Sequence, residues 1–210
     1  MTGYLKATDI LEFSSVITHL KTADCYFVHL LNQSVLLPCL RVLDISFYES
    51  RFSRTPPSNE SFTSFCEYLM VNTTVKELNI DFGLLSRPKA SVFAAVFHSN
   101  RSLQKLSLCA GEYENHECLL LITTSAKNAG IAEIDLSKLL VTSPNCILPL
   151  LQSSSLRSIA LTRYCDFSPI VFNAFKFNAS LREVSFFHLQ RLIQYVIAKI
   201  LLISSNLTLR

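Results

Sequence analysis

The feature that most constrains this chain is a hexad that keeps returning. An aliphatic residue is followed by two mostly polar positions, then a second aliphatic, one polar position and a third aliphatic. It is clearest at Leu103-Gln-Lys-Leu106-Ser-Leu108. The same pattern begins at Leu40, Val75, Ile131, Leu156 and Leu181. Successive starts lie 35, 28, 28, 25 and 25 residues apart. Alternating polarity reads as a short strand with one buried face, and a fixed period in this range signals a stacked repeat.

Between the hexads the apolar residues fall at helical spacing. Phe62, Phe65, Cys66, Leu69 and Met70 share one face, as do Val92, Phe93, Val96 and Phe97, and then Ile170, Val171, Ala174 and Phe175. A further helix is expected over 22–32, with Asp24 near its start. Another is expected over 189–205, strongly apolar, with Leu192, Ile193, Val196, Ile197, Ile200, Leu201 and Ile203. The long first step is explained by an inserted loop at 50–59, where Pro56-Pro57 is stiff rather than helical. The first unit starts at Phe13, after an N-terminal cap over 1–12. That start puts Val16 in the second apolar slot and the polar Thr18 in the third. An incomplete last unit starts at Leu207.

A doubly wound α/β domain also alternates strand and helix. Its central strands would be continuous apolar runs, because both faces are covered. These strands keep one polar face instead. The four glycines, Gly3, Gly83, Gly111 and Gly130, stand too far apart for a nucleotide-binding turn.

The Leu-x-x-Leu-x-Leu core, matched well in six units, resembles the leucine-rich repeat. The unit length, with a helix in each unit, resembles the ribonuclease-inhibitor-like subclass. The resemblance covers about residues 13–209. It implies a solenoid shaped as a horseshoe, with parallel strands on the concave face and helices on the convex face, in six to seven repeats. One family element is missing. The ninth position, where the family carries an asparagine that bonds from turn to turn, holds Tyr48, Gly83, Gly111, Leu139, Tyr164 and Leu189. No asparagine ladder is expected there. Similar repeats serve in GTPase regulators, cytoskeletal adaptors and innate-immune sensors, and no residue selects among these.

With the fourth and sixth positions of each hexad inside, the third, fifth and seventh face outward. Six of the 16 acidic residues occupy such positions, namely Asp44, Glu77, Asp81, Glu133, Asp135 and Glu183, against one of the 19 basic residues, Lys105. Glu77 with Asp81 and Glu133 with Asp135 form two acidic clusters separated by Lys105. The second position runs the other way, with Arg41, Lys76, Arg157 and Arg182. A chain of net charge +3 is thus expected to carry an acidic floor edged by cations. These seven residues are the candidate partner-binding set, and the expected partner is a protein with a basic patch.

Catalysis finds little support. No glycine-rich phosphate loop exists, and an open face does little to shift a carboxyl pKa. The seven cysteines are odd in number and show no paired framework, so free buried thiols in a cytoplasmic setting are expected. A cysteine hydrolase would need one activated thiol. Cys109, His116 and Cys118 are the tightest group of soft ligands, but a fourth ligand at matching spacing is missing. No cofactor, metal, nucleic acid or membrane partner is expected. The apolar run from Leu192 to Ile203 is too short to span a bilayer, and the basic residues are scattered.

Asn-x-Ser/Thr triplets occur at Asn32, Asn59, Asn72, Asn100, Asn178 and Asn206. Those at 72, 100, 178 and 206 sit just before a strand. There an asparagine suits a left-handed turn closing a helix, a structural use rather than a glycan acceptor. The reading is a non-enzymatic protein-interaction module, alternatively a repeat fragment of a larger regulatory or sensor protein, with weak self-association through its C-terminal end.

Overall fold

A computed structural model describes residues 15–21, 37–45, 58–109, 115–141, 143–162, 168–187 and 208–209. The expected N-terminal cap, the helices over 22–32 and 189–205, and most of the inserted loop lie outside these residues.

The strands are β1 (His19–Lys21), β2 (Val42–Ile45), β3 (Glu77–Asp81), β4 (Lys105–Cys109), β5 (Glu133–Leu136), β6 (Ser158–Thr162), β7 (Glu183–Phe187) and β8 (Thr208–Leu209). They form one sheet in strictly sequential order, every pair parallel. A doubly wound sheet would reverse direction at a switch point, and this one does not. The helices are α1 (Asn59–Val71), α2 (Arg87–Ser99), α3 (His116–Ala126), the single turn α4 (Leu148–Leu151) and α5 (Pro169–Phe177). Parallel crossovers are right-handed, so a sheet that grows in one direction receives its helices on one face. Each helix packs against the next along the series. The result is an α/β stack of repeats with a helix-covered face and an open one. None of the described helices is long and apolar enough to cross a membrane.

The sheet holds together because the aliphatic slots coincide strand after strand. Leu43, Leu78, Leu106, Ile134, Ile159 and Val184 pair in register and form one buried row. A second buried row consists of Ile45, Ile80, Leu108, Leu136, Leu161 and Phe186. The first-slot residues Leu40, Val75, Leu103, Ile131, Leu156 and Leu181 are buried as well. Each such side chain contributes about 1.5–3 kcal/mol by leaving water.

The pairing moves both ends of the repeat count. Leu20 pairs with Leu43, so the first unit begins at Ile17 rather than Phe13, and Val16 is 66% exposed. Thr208 pairs with Glu183 and Leu209 with Val184, so the last count begins at 206 rather than 207. The inserted loop ends sooner than 59. Ser58 caps α1 by accepting from the Ser61 amide, and Asn59 is already helical.

The helix faces follow the apolar spacing with one exception. Phe62, Phe65, Cys66 and Leu69 of α1 are buried, and so are Phe93, Val96 and Phe97 of α2. The rings of Phe62, Phe65, Phe93 and Phe97 meet edge to face at 5.2–6.4 Å. In α5, Val171 and Phe175 are buried but Ile170 is turned to solvent. Pro144 and Pro149 accompany the reduction of the fifth unit's helix to a 3-10 turn and one α-turn.

An asparagine network does exist, before the strands rather than after them. The Asn100 amide donates to the Leu69 carbonyl at 2.6 Å and the Asn72 carbonyl at 2.9 Å, reaching into the previous repeat. Its oxygen accepts from the amides of Ser102 and Leu103. Asn178 does the same with the carbonyls of Leu151 and Ser153 and the amides of Ser180 and Leu181. Asn72 accepts from the amides of Thr74 and Val75. None of the three is left-handed, since their φ values are −72°, −74° and −77°. The left-handed turn falls to Gly130, at φ 79°. Asn100→Ala strands buried amides and carbonyls together and should lower unfolding free energy by about 2–4 kcal/mol in urea titration. Asn59→Ala, on the surface, should change it by less than about 0.5 kcal/mol.

Candidate partner-binding face

The outward residues form rows across the open face. One row runs His19, Val42, Glu77, Lys105, Glu133, Ser158, Glu183, and the next runs Lys21, Asp44, Asn79, Ser107, Asp135, Ala160, Ser185. Asp81 pairs with Cys109 in a third. All seven sequence-derived candidates therefore lie on one side of one sheet, with neighbouring strands about 4.8 Å apart.

Their roles differ. Lys105 joins the two acidic clusters instead of separating them, with Nζ 3.6 Å from Glu77 and 3.8 Å from Glu133. These groups are more than one-third exposed, so the pairs add little stability and mainly orient the side chains. Asp81 accepts from the Gly83 amide and Asp135 from the Ser137 amide, each at 2.8 Å. Both carboxylates thus turn the chain at a strand's end as well as charging the face. The cations at the edge are also engaged. Arg41, Arg157 and Arg182 donate to the carbonyls of Thr74, Ser180 and Ala179, and Lys76 donates to that of Thr73.

Two features of the face carry no signal in the linear chain. Lys138 bears on the same spot as the acids: burial pushes the Cys109 thiol up, Lys138 pulls it down, and Asp135, Asp44 and Asp81 push it up. Ser107, in the middle of the sheet, is only 6% exposed. Its position between Asn79 and Asp135 depends on pairing across repeats.

The Cys109, His116 and Cys118 group does not assemble into a ligand set. Cys118 is buried in α3, while His116 approaches Cys146, with Nδ1 4.0 Å from the sulfur. Among the described residues no three ligating groups are placed to hold a metal. A hollow of about 670 Å³ opens beside the Asn178 turn, but its Ser153, Asn178 and Ser180 side chains already bond to backbone carbonyls.

No family model matches the chain, and no curated protein matches it in sequence. Among solved structures, leiomodin-1 actin-binding site 2 is similar at 14% identity, covering 94% of this chain and 89% of that one, with a TM-score of 0.38. That likeness carries no partner across.

Burial pushes the thiol of Cys66 up to about 12, helped by Glu67, and also raises those of Cys109, Cys118 and Cys146. Little thiolate exists in any of them at mildly alkaline pH. Iodoacetamide labelling of the native protein under that condition, followed by mass spectrometry, should find these four slow. Half-buried Cys39 should react ahead of them.

Proposed function

We propose that this chain is a non-enzymatic protein-binding module built of ribonuclease-inhibitor-like leucine-rich repeats, which holds a partner's basic patch against its open sheet face. The observation that carries the reading is the shared placement of Asp44, Glu77, Asp81, Glu133, Asp135 and Glu183 on that face. Dimensions favour a horseshoe. Neighbouring helices need about 8–10 Å and neighbouring strands about 4.8 Å, so a stack with one of each per repeat curves with its strands inside. A concave acidic surface would raise a basic protein's association rate and exclude acidic competitors.

Two observations support a cytoplasmic, non-catalytic setting. Cys39, Cys66, Cys109, Cys118 and Cys146 are free thiols, and burial raises the pKa of four of them rather than activating them. The amides of Asn72, Asn100 and Asn178 are tied into hydrogen bonds, which favours their structural use over glycan attachment.

The test is Glu77→Lys/Glu133→Lys/Glu183→Lys, which spares the turn-forming Asp81 and Asp135. Affinity capture from cytosol should lose a salt-sensitive basic partner while the melting temperature stays within a few degrees. An unchanged partner set would refute the acidic-face reading.

A further inference from the structure

The turns that enter strands β2 to β7 span 37–41, 71–76, 98–104, 127–132, 152–157 and 176–182. They hold seven of the chain's 19 Lys and Arg residues and none of its 16 acids. Scattered in the sequence, these cations are gathered along one edge by the sequential stacking of the strands. The opposite edge, where strands end, is mixed, with Asp81, Asp135 and Lys138. Hydrogen bonds fix the seven cations without neutralising them. Arg41, Arg101 and Arg157 donate to carbonyls of the next turn, at Thr74, Asn128 and Ser180, and Lys127 donates to Gln152. Lys76 and Arg182 donate within their own turns, and Lys176 stands over the Phe177 ring at 5.7 Å. Among the described residues none of the seven pairs with a carboxylate. The five helices end at this edge, each C-terminus equivalent to about half a negative charge, which offsets at most about two or three of the cations.

Three of the five large apolar side chains that stand exposed among the described residues share this edge. Val71 and Phe177 end α1 and α5, and Val16 lies in the turn before β1; they are 78%, 76% and 66% exposed. The hollow of about 670 Å³ opens here too, with Arg157 and Phe177 on its wall. We propose that this edge docks the chain on an anionic phospholipid bilayer, the cations facing lipid phosphates and the three apolar side chains entering the headgroup boundary. Neighbouring turns lie about 5 Å apart at the strands and about 8–10 Å apart at the helices. These steps are close to the Debye length of about 8 Å, so the fields of successive cations add. A nucleic acid would also meet the charge, but its bases stack on flat rings and give the two exposed valines no role. A bilayer uses both features, since apolar burial and attraction to anionic lipids together set the strength of interfacial binding. With the edge on the bilayer, the open face stays available to a protein partner.

The experiment is co-sedimentation of the full chain with vesicles of phosphatidylcholine and phosphatidylserine at a ratio of about two to one, beside vesicles of phosphatidylcholine alone. The chain should bind the mixed vesicles at low salt, lose most of that binding at about 0.5 M salt, and ignore the neutral ones. Arg101→Glu/Lys176→Glu/Arg182→Glu, at exposed positions, should weaken binding at least about tenfold, and Phe177→Ser several-fold with the charge unchanged. No binding to the mixed vesicles, equal binding to neutral ones, or native-like binding by the folded charge variant would overturn the proposal. If that variant fails to fold, Phe177→Ser decides, since unchanged binding by it would mean an ion atmosphere without docking. A single-stranded RNA that binds where vesicles do not would assign the edge to nucleic acid and end the lipid reading. Glu77→Lys/Glu133→Lys/Glu183→Lys should still bind the mixed vesicles, so the edge and the acidic face fail separately; loss of vesicle binding there would remove the edge as the docking site.

Discussion

Every repeat must carry the chain from helix back to strand at the same height, and the backbone groups exposed in that turn are buried between repeats. The asparagines at 72, 100 and 178 solve this locally. One side chain accepts from the amides of its own turn. At 100 and 178 the same side chain also donates to carbonyls of the turn before. Ser102, Ser153 and Ser180 extend the network with hydroxyls bonded to carbonyls of the preceding repeat. Because buried polar groups are costly when unpaired, these contacts hold successive repeats in one register.

That register makes the open face a surface rather than a collection of outward residues. With the aliphatic slots aligned, the third and fifth positions align too, and charges distant in sequence become neighbours. Glu77, Lys105 and Glu133 then form a linked row. The next row places a small hydroxyl between an amide and a carboxylate.

Much of this is legible in the chain. The hexads locate the central strands, and the helical spacing locates Phe65, Phe93 and Phe175 in the core. The ends are less legible. Spacing alone puts Val16 and Thr18 in apolar slots that pairing gives to other residues, because one weak unit can slide along the sequence until a neighbouring strand pins it. The asparagine turn is legible at three positions, but its backbone is extended rather than left-handed. Side-chain capping competes with the left-handed solution, and sequence alone does not separate them.

The amino-acid sequence by itself determined the period, the buried slots and the outward placement of the six acids, because strand alternation and aliphatic spacing are local properties. Only the tertiary structure decided which outward residues meet. It turned Lys105 from a separator into a bridge, engaged Asp81 and Asp135 in turns, and left Ser107 nearly buried. The physical reason is that these relations run across strands, between residues about 28 positions apart, where parallel register alone sets the neighbours.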